Sequence, residues 1–475
     1  MDEHPRERHA LSKENSDSDA IHYCSAKSIA AAIREGRVSA VEVVDVFLAR
    51  IEEVNPALNA VVQLRADECR KDAQRADAAL ARGESWGALH GVPMTIKDSF
   101  DTVGLISTGG TLGRSKFVPS QDATVVSRLK DAGAILLGKT NTPEFTLRYE
   151  TYNLVYGTSH NPWDLTRTPG GSSGGASAIL ACGGAAFDIG SDYGGSIRFP
   201  AHCTGIVGIM PTHGRVPRTG HIYPFGGTHD SFQRIGPLAR HVEDLFLLLG
   251  IISGQDHVDP AMVPMPLGDP DDVSLSELRI GFHTDNGIST PTPETQEAVR
   301  RAASAMASVG SRVEEAVPQG LERSFDISSL FWTADGGAAV RRLLGDAGTT
   351  EFSIPEPAST AALDAESLDR LMTDWNELRS EMSAYFTQHD LILCPVNARP
   401  AAPHDTMLTP DYPDYSYTLT YNATGWPGAV VRGGTSPEGL PIGVQVVGAP
   451  GREDQVLAVL GHLESVLGGF MPPPL

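Results

Sequence analysis

The chain has 475 residues, 41% hydrophobic and 20% charged, an ordinary globular composition with length enough for one large core or two smaller ones. Its 59 acidic against 37 basic residues give a formal charge of −22, which repels phosphate backbones and anionic lipid surfaces and so excludes nucleic acid and membranes as expected partners. Cys24, Cys69, Cys182, Cys203 and Cys394 lie far apart with no C-x-x-C pair, so neither a zinc site nor a disulfide framework is expected, and the thiols read as reduced.

Residues 1–20 are charged and poor in large apolar groups, which reads as a disordered arm carrying no chemistry. No apolar run reaches the ~18 residues of a membrane span and Met1 to Asp19 has no apolar signal-peptide core, so the expectation is a cytoplasmic protein. Helical periodicity begins near Ile29. It resumes after Ser39, where Ser39-Ala40-Val41-Glu42 reads as a capping box opening VEVVDVFLARIEEV. Helical segments then alternate with short apolar runs: VPMTI (92–96), AILL (134–137), AAFDI (185–189), GIVGIM (205–210), RIGF (279–282), LILC (391–394) and IGVQVV (442–447). That alternation predicts one α/β domain over residues 21–475, with helices flanking a central, largely buried sheet. Residues 260–390, with a loop near Pro260–Pro270 and a helical pattern over Ala365–Phe386, read as a helical insertion covering the core. The stretch from Gly170 to Gly226 holds paired glycines and few long charged side chains, the mark of close backbone approach or positive φ.

Two motif matches fail their context. Gly133 to Thr140 fits the phosphate-loop pattern G-x-x-x-x-G-K-T, but a helical pattern precedes it, its four free positions are strand-like AILL, and Asn141-Thr142-Pro143 interrupts any following helix. Gly171 to Gly175 fits the nucleophile elbow G-x-S-x-G with Ser173 as nucleophile, yet NPWDLTRTPG before it is a loop where a strand is required. Asn422-Ala-Thr424 is a formal glycosylation acceptor without a secretory context.

Three other segments carry chemistry. Lys97 follows the apolar run VPMTI, where desolvation disfavours the ammonium and leaves a base; the alternative is a structural ion pair with Asp98. The loop TPGGSSGG (168–175) and the run Tyr193-Gly194-Gly195-Ser196 supply accessible hydroxyls beside backbone N–H groups that no Cβ obstructs, as acyl transfer requires; the alternative is a tight turn after AAFDI.

Together these segments resemble the amidase signature family, whose members use a Ser-cis-Ser-Lys triad. The similarity runs through 39–62, 87–104, 132–145, 157–177, 190–216 and 439–457, most of the chain. It implies the mixed-sheet fold of that family, Lys97 as base, Ser172 as the bridging serine on a cis peptide bond, and Ser196 as nucleophile. The two serines stand 24 residues apart, the spacing expected of the family. It further implies an oxyanion hole from the amides of Tyr193, Gly194, Gly195 and Ser196, and support from Ser173, Asp192 and Arg198, which also read as purely structural loop residues. GKTN-x-PEF is itself a family segment, which accounts for the phosphate-loop match. The chain departs from the pattern at Tyr193, commonly Thr or Ile, at Met210, commonly Lys, and at His213, commonly Tyr.

The activity implied is hydrolysis of small aryl or alkyl amides, with carbamates or esters also allowed, and with activity rising toward neutral to alkaline pH as Lys97 deprotonates. Tyr149, Tyr152, Tyr193, Phe199 and Trp426 are the candidates for an apolar substrate pocket, though aromatic residues commonly serve the core. No cofactor or metal is called for. The expected partners are a small-molecule amide and water, a homodimer being the assembly allowed for. Two rivals remain. The glutaminase component of a transamidosome complex typically reads SIRQPA and MDEF where this chain has Ser196-Ile-Arg-Phe199-Pro and Thr142-Pro-Glu-Phe145, and Phe199 cannot serve as a polar recognition residue. A non-catalytic amide-binding scaffold is disfavoured because Lys97, Ser172 and Ser196 are all present.

Overall fold

In the computed structural model, which describes residues 21–354, 361–406 and 412–475, helices form over Ala26–Arg34 and Ala40–Leu58. Ser39 Oγ accepts from the Glu42 amide at 3.1 Å while the Glu42 carboxylate accepts from the Ser39 amide at 2.8 Å, so the expected capping box satisfies two of the helix's unpaired N–H groups. The expected arm, residues 1–20, lies outside the described residues.

Thirteen strands are described: β1 (Val61–Leu64), β2 (Pro93–Lys97), β3 (Ile135–Thr140), β4 (Tyr152–Asn153), β5 (Gly157–Thr158), β6 (Phe187–Asp192), β7 (Val207–Met210), β8 (Arg234–Ala239), β9 (Arg279–Phe282), β10 (Arg312–Glu315), β11 (Leu391–Pro395), β12 (Gly428–Thr435) and β13 (Pro441–Gly448). Eleven make one mixed sheet in the order β1-β3-β2-β6-β8-β7-β12-β13-β11-β9-β10, and β4 pairs with β5 in a separate hairpin. All seven apolar runs read from the sequence are strands of this sheet. They are legible because helices cover both faces, so side chains pointing either way are buried; β2, β3, β6 and β7 are buried at every position. The protein has the mixed α/β architecture expected, a large central sheet flanked by helices.

The stretch 260–390 is only partly the helical insertion expected. It carries helices Pro293–Ser308, Ser324–Thr333, Ala338–Ala347 and Ala365–Ser383, but β9 and β10 within it pair in parallel with each other, and β9 with β11, extending the sheet at one edge. Two of these helices pack on the buried helix Ser416–Thr424. Trp375 Nε1–H donates to Ala423 O at 2.8 Å, and Ser324 Oγ lies 2.6 Å from Thr420 Oγ1.

The feature that sets up a site is the pairing of β2 and β6. They run parallel as neighbours near one end of the sheet's long order, with Met94 opposite Phe187, so their carboxyl ends, Lys97 and Asp192, emerge on the same edge. The carboxyl ends of parallel strands are where open α/β sheets hold their ligands.

Candidate active site

Lys97 ends β2 with no exposed surface. Its Nζ lies 2.6 Å from Ser172 Oγ, 3.0 Å from Ser173 Oγ and 3.0 Å from Ser191 Oγ. Burial drives its pKa well below the ordinary lysine value, and the nearby carboxylates of Asp192 and Asp188 oppose this less strongly. Asp98, the ion-pair partner the sequence offered for this lysine, faces another cation. Its carboxylate lies 4.0 Å from Lys139 Nζ and accepts from the Thr108 amide and hydroxyl. Lys139 is the lysine of the apparent phosphate loop. It sits inside β3, fully buried, with Nζ donating to Phe100 O and to Thr102 Oγ1, which makes it a structural residue.

Ser172 and Ser173 occupy the loop that leads into helix Gly174–Ala181. The Gly171–Ser172 peptide bond is cis. A loop, not a strand, precedes Ser173, so the elbow geometry is absent here; instead the Ser173 amide donates to Ser196 O at 3.2 Å, holding the two serine loops together.

Ser196 follows β6, in the loop before helix Arg198–Thr204, and its Oγ makes no hydrogen bond among the described residues. The glycines before it are there for space. A Cβ on Gly194 would come within 2.5 Å of Tyr149 Oη, and one on Gly195, whose φ is +128°, would collide with Thr418 Oγ1.

Asp192 organises that loop. Its carboxylate accepts from the amides of Gly195 (2.8 Å) and Ile197 (3.0 Å), from Arg198 Nη2 (2.9 Å) and Nε (3.1 Å), and from Asn422 Nδ2 (2.9 Å). Burial pushes its pKa up, but Arg198 and these donors override burial and hold it down at about 2. Arg198 in turn donates to Gln445 Oε1 at 2.7 Å and to Asn422 Oδ1 at 2.5 Å. The Gly195 amide is therefore directed at Asp192, which corrects its place among the expected oxyanion donors: one N–H cannot serve both with good geometry.

The aromatic candidates divide. Tyr193 borders the Ser196 loop, stacks on Phe232 with ring centroids 5.4 Å apart, meets Trp332 edge-on at 5.5 Å, and brings its hydroxyl to 2.7 Å from His229 Nδ1. Tyr149 reaches Gly194 O at 3.4 Å and stacks on Tyr415. Phe199 is fully buried in a small cluster with Cys203, Ala401 and Tyr415, and Trp426 packs on Phe386 and Tyr421 in the core. Tyr152 lies in the β4–β5 hairpin.

Sequence reasoning missed Ser191, His221, His229, Trp332, Asn422 and Gln445. Asn422, set aside as a glycosylation acceptor, is buried and bridges Asp192, Arg198 and Met210 Sδ, the last at 3.2 Å. Among the described residues no group of three or more His, Cys, Asp or Glu is placed to hold a metal ion, and no helix is long and apolar enough to cross a membrane.

A buried amine at the end of one strand, a serine loop on a cis peptide beside it, and a serine preceded by two glycines after the neighbouring strand define an amide-cleaving class of enzyme, and residues 42–457 match the Amidase family, to which the chain belongs. It is an amidase. It is similar to an indoleacetamide hydrolase of Bradyrhizobium diazoefficiens, 35% identical over 94% of this chain and 86% of the relative. It is also similar to a glutamyl-tRNA(Gln) amidotransferase chain of a Roseiflexus species, 33% identical over 92% of this chain and 95% of that one. Among solved structures, 6-aminohexanoate cyclic dimer hydrolase complexed with substrate superposes with a TM-score of 0.85 at 27% identity, covering 96% of this chain and 99% of that one.

Proposed function

We propose that this amidase hydrolyses small amides through an acyl-enzyme on Ser196, with Lys97 and Ser172 as the proton relay. The observation that carries this reading is the 2.6 Å contact between a fully buried Lys97 Nζ and Ser172 Oγ. An unprotonated amine there accepts the Ser172 proton as Ser172 accepts that of Ser196, whose oxygen attacks the acyl carbon. The amides of Tyr193, Gly194 and Ser196 are the donors for the tetrahedral oxyanion, where one such donor is worth about 3–4 kcal/mol in the transition state. Collapse breaks the carbon–nitrogen bond. Ser172 returns a proton to the departing amine and is itself resupplied by Lys97, and a water molecule passing its proton along the same relay releases the acid.

The test is a fluorophosphonate probe. Covalent modification of Ser196, and its loss in Ser196→Ala, is the expected result; soluble protein that stays unmodified at every pH overturns the reading.

For the substrate, the reading favours aryl or alkyl amides over glutamine. An indoleacetamide hydrolase is among the relatives, and the ring of Tyr193 with Phe232 and Trp332 offers an apolar, aromatic surface beside the nucleophile loop. Tyr193→Ile is expected to change kcat/KM for aryl amides by about tenfold relative to small aliphatic ones, as loss of an aromatic contact does. A panel of anilides, aliphatic amides, carbamates and esters checks this; an unchanged ranking removes Tyr193 from the pocket. The amidotransferase relative supports a second reading, a glutaminase working with partner proteins in a complex. Copurification with such partners together with ammonia release from glutamine is the outcome that favours it.

A further inference from the structure

One hydrogen bond beside the relay has no part in it. His221 lies in the segment after β7, pinned against the stretch that follows Lys97: its backbone bridges Phe100, Ile222 N–H donates to Ser99 O at 2.8 Å, and its ring meets Phe100 edge-on at 5.1 Å. The Tyr223 amide donates to His221 Nδ1 at 3.2 Å, so Nδ1 is an acceptor and a neutral ring carries its proton on Nε2. Nε2 lies 3.0 Å from Ser191 Oγ, and Ser191 Oγ lies 3.0 Å from Lys97 Nζ. The ring is held neutral by burial, with Arg218 of its own segment and Arg114 opposite acting in the same direction, and Lys97 of β2 adding to them only when it is protonated. The carboxylates of Asp192 and Asp188 on β6 face Lys97 and act on it the other way.

A hydroxyl that receives a hydrogen bond on its oxygen becomes a poorer acceptor toward a second donor. That change disfavours an ammonium at Lys97 and favours the free amine. Resting on the reading that Lys97 is the base, we propose that His221 is a positioning residue for it: the Nε2–H bond to Ser191 Oγ weakens Ser191 as an acceptor from Lys97 and keeps the lysine lone pair available to Ser172. Ser191 thus transmits the effect of a residue that touches neither Ser172 nor Ser196.

The experiment is the pH dependence of kcat/KM, and of Ser196 modification by a fluorophosphonate, for the full chain carrying His221→Phe, His221→Gln, Ser191→Ala and the Ser191→Ala/His221→Phe pair. Phe keeps the ring and loses the donor; Gln keeps a donor amide. His221→Phe is expected to shift the acid limb upward, lowering kcat/KM on that limb about three- to tenfold relative to the plateau, the scale of one hydrogen bond. His221→Gln is expected to restore the parent profile, and the shift is expected to vanish in the Ser191→Ala background. An acid limb that stays in place in His221→Phe, or a shift of the same size without Ser191, overturns the proposal. So does a limb that disappears in both Phe and Gln variants, since it would belong to His221 itself. Should His221→Phe not fold, the profiles of His221→Gln and Ser191→Ala decide, with Ser191→Ala expected to move the limb and His221→Gln not. A parent enzyme whose Ser196 is never modified defeats the acyl-enzyme reading instead, a result separable from all of these.

Discussion

Lys97→Met is expected to lower kcat/KM on the order of 10³-fold while leaving KM little changed, because it removes the side chain placed to take the Ser172 proton and none of the groups that bind substrate. Methionine fills most of the space, so the loss reads as chemistry and not as a cavity. The pH behaviour gives a second, independent check. The folded-state pKa of Lys97 is depressed by burial, so in the parent enzyme activity rises with pH through that depressed value and is flat above it. Linkage fixes the companion sign for stability. Between the depressed folded pKa and the ordinary lysine value of about 10.4, the unfolded chain binds a proton at this position that the folded chain does not, so the parent loses stability as pH falls through that window. Lys97→Met has no such term. Its stability relative to the parent is expected to improve steadily from pH 10 toward neutral, measured by urea denaturation at each pH. A variant that keeps activity within tenfold, or whose relative stability is indifferent to pH, contradicts a neutral buried amine at this position.

How much of this could be read from the residues follows from where each signal resides. Strands buried on both faces announce themselves as short apolar runs, and the serine and lysine loops carry local composition that acyl transfer needs. β8 carries neither advantage: Pro237 in its middle, facing Ile189 of β6, argues against a strand by the usual rule. β12 is diluted by three glycines and β10 is an exposed edge strand of mostly charged residues. In the candidate site, Lys97, Ser172 and Ser196 each stand in a segment of distinctive local composition, which is what singles them out in the sequence. Ser191 was not, because its role depends on β2 and β6 being parallel neighbours with aligned ends, a fact of pairing and not of local sequence. The same holds for His221, His229 and Trp332, which reach the site from segments that are remote along the chain. Asn422 carried a misleading local signal, and Asp98 beside Lys97 looked like its partner although it lies in the turn after β2 and faces Lys139 and Thr108.

Asp192→Ala is expected to cost about 3–5 kcal/mol, the scale for breaking a buried ion pair by removing one member. Asp192 and Arg198 are both without exposed surface, their closest approach is 2.9 Å, and removing the carboxylate leaves a buried guanidinium without its counter-charge and the Gly195 and Ile197 amides without their acceptor. Against a typical net stability of about 5–15 kcal/mol, that is a large shift in the urea midpoint. Arg198→Met is expected to cost a similar amount by stranding the carboxylate. The double variant is expected to cost clearly less than the two together, since neither charge is then left alone. Acid titration separates electrostatics from packing. The folded Asp192 pKa, about 2, lies below its unfolded value, so the stability it contributes is fully present above about pH 4 and is lost as pH falls through about 2. The stability gap between the parent and the isosteric Asp192→Asn is therefore expected to hold constant from pH 8 to 5 and to close below pH 4. Because the same carboxylate orients the Gly195 and Ile197 amides on either side of Ser196, Asp192→Asn is also expected to reduce kcat in the pH range where its fold is intact. Additive single and double variants, or a gap that persists undiminished at pH 2, would show that the loop is held by packing and that the ion pair contributes nothing to placing Ser196.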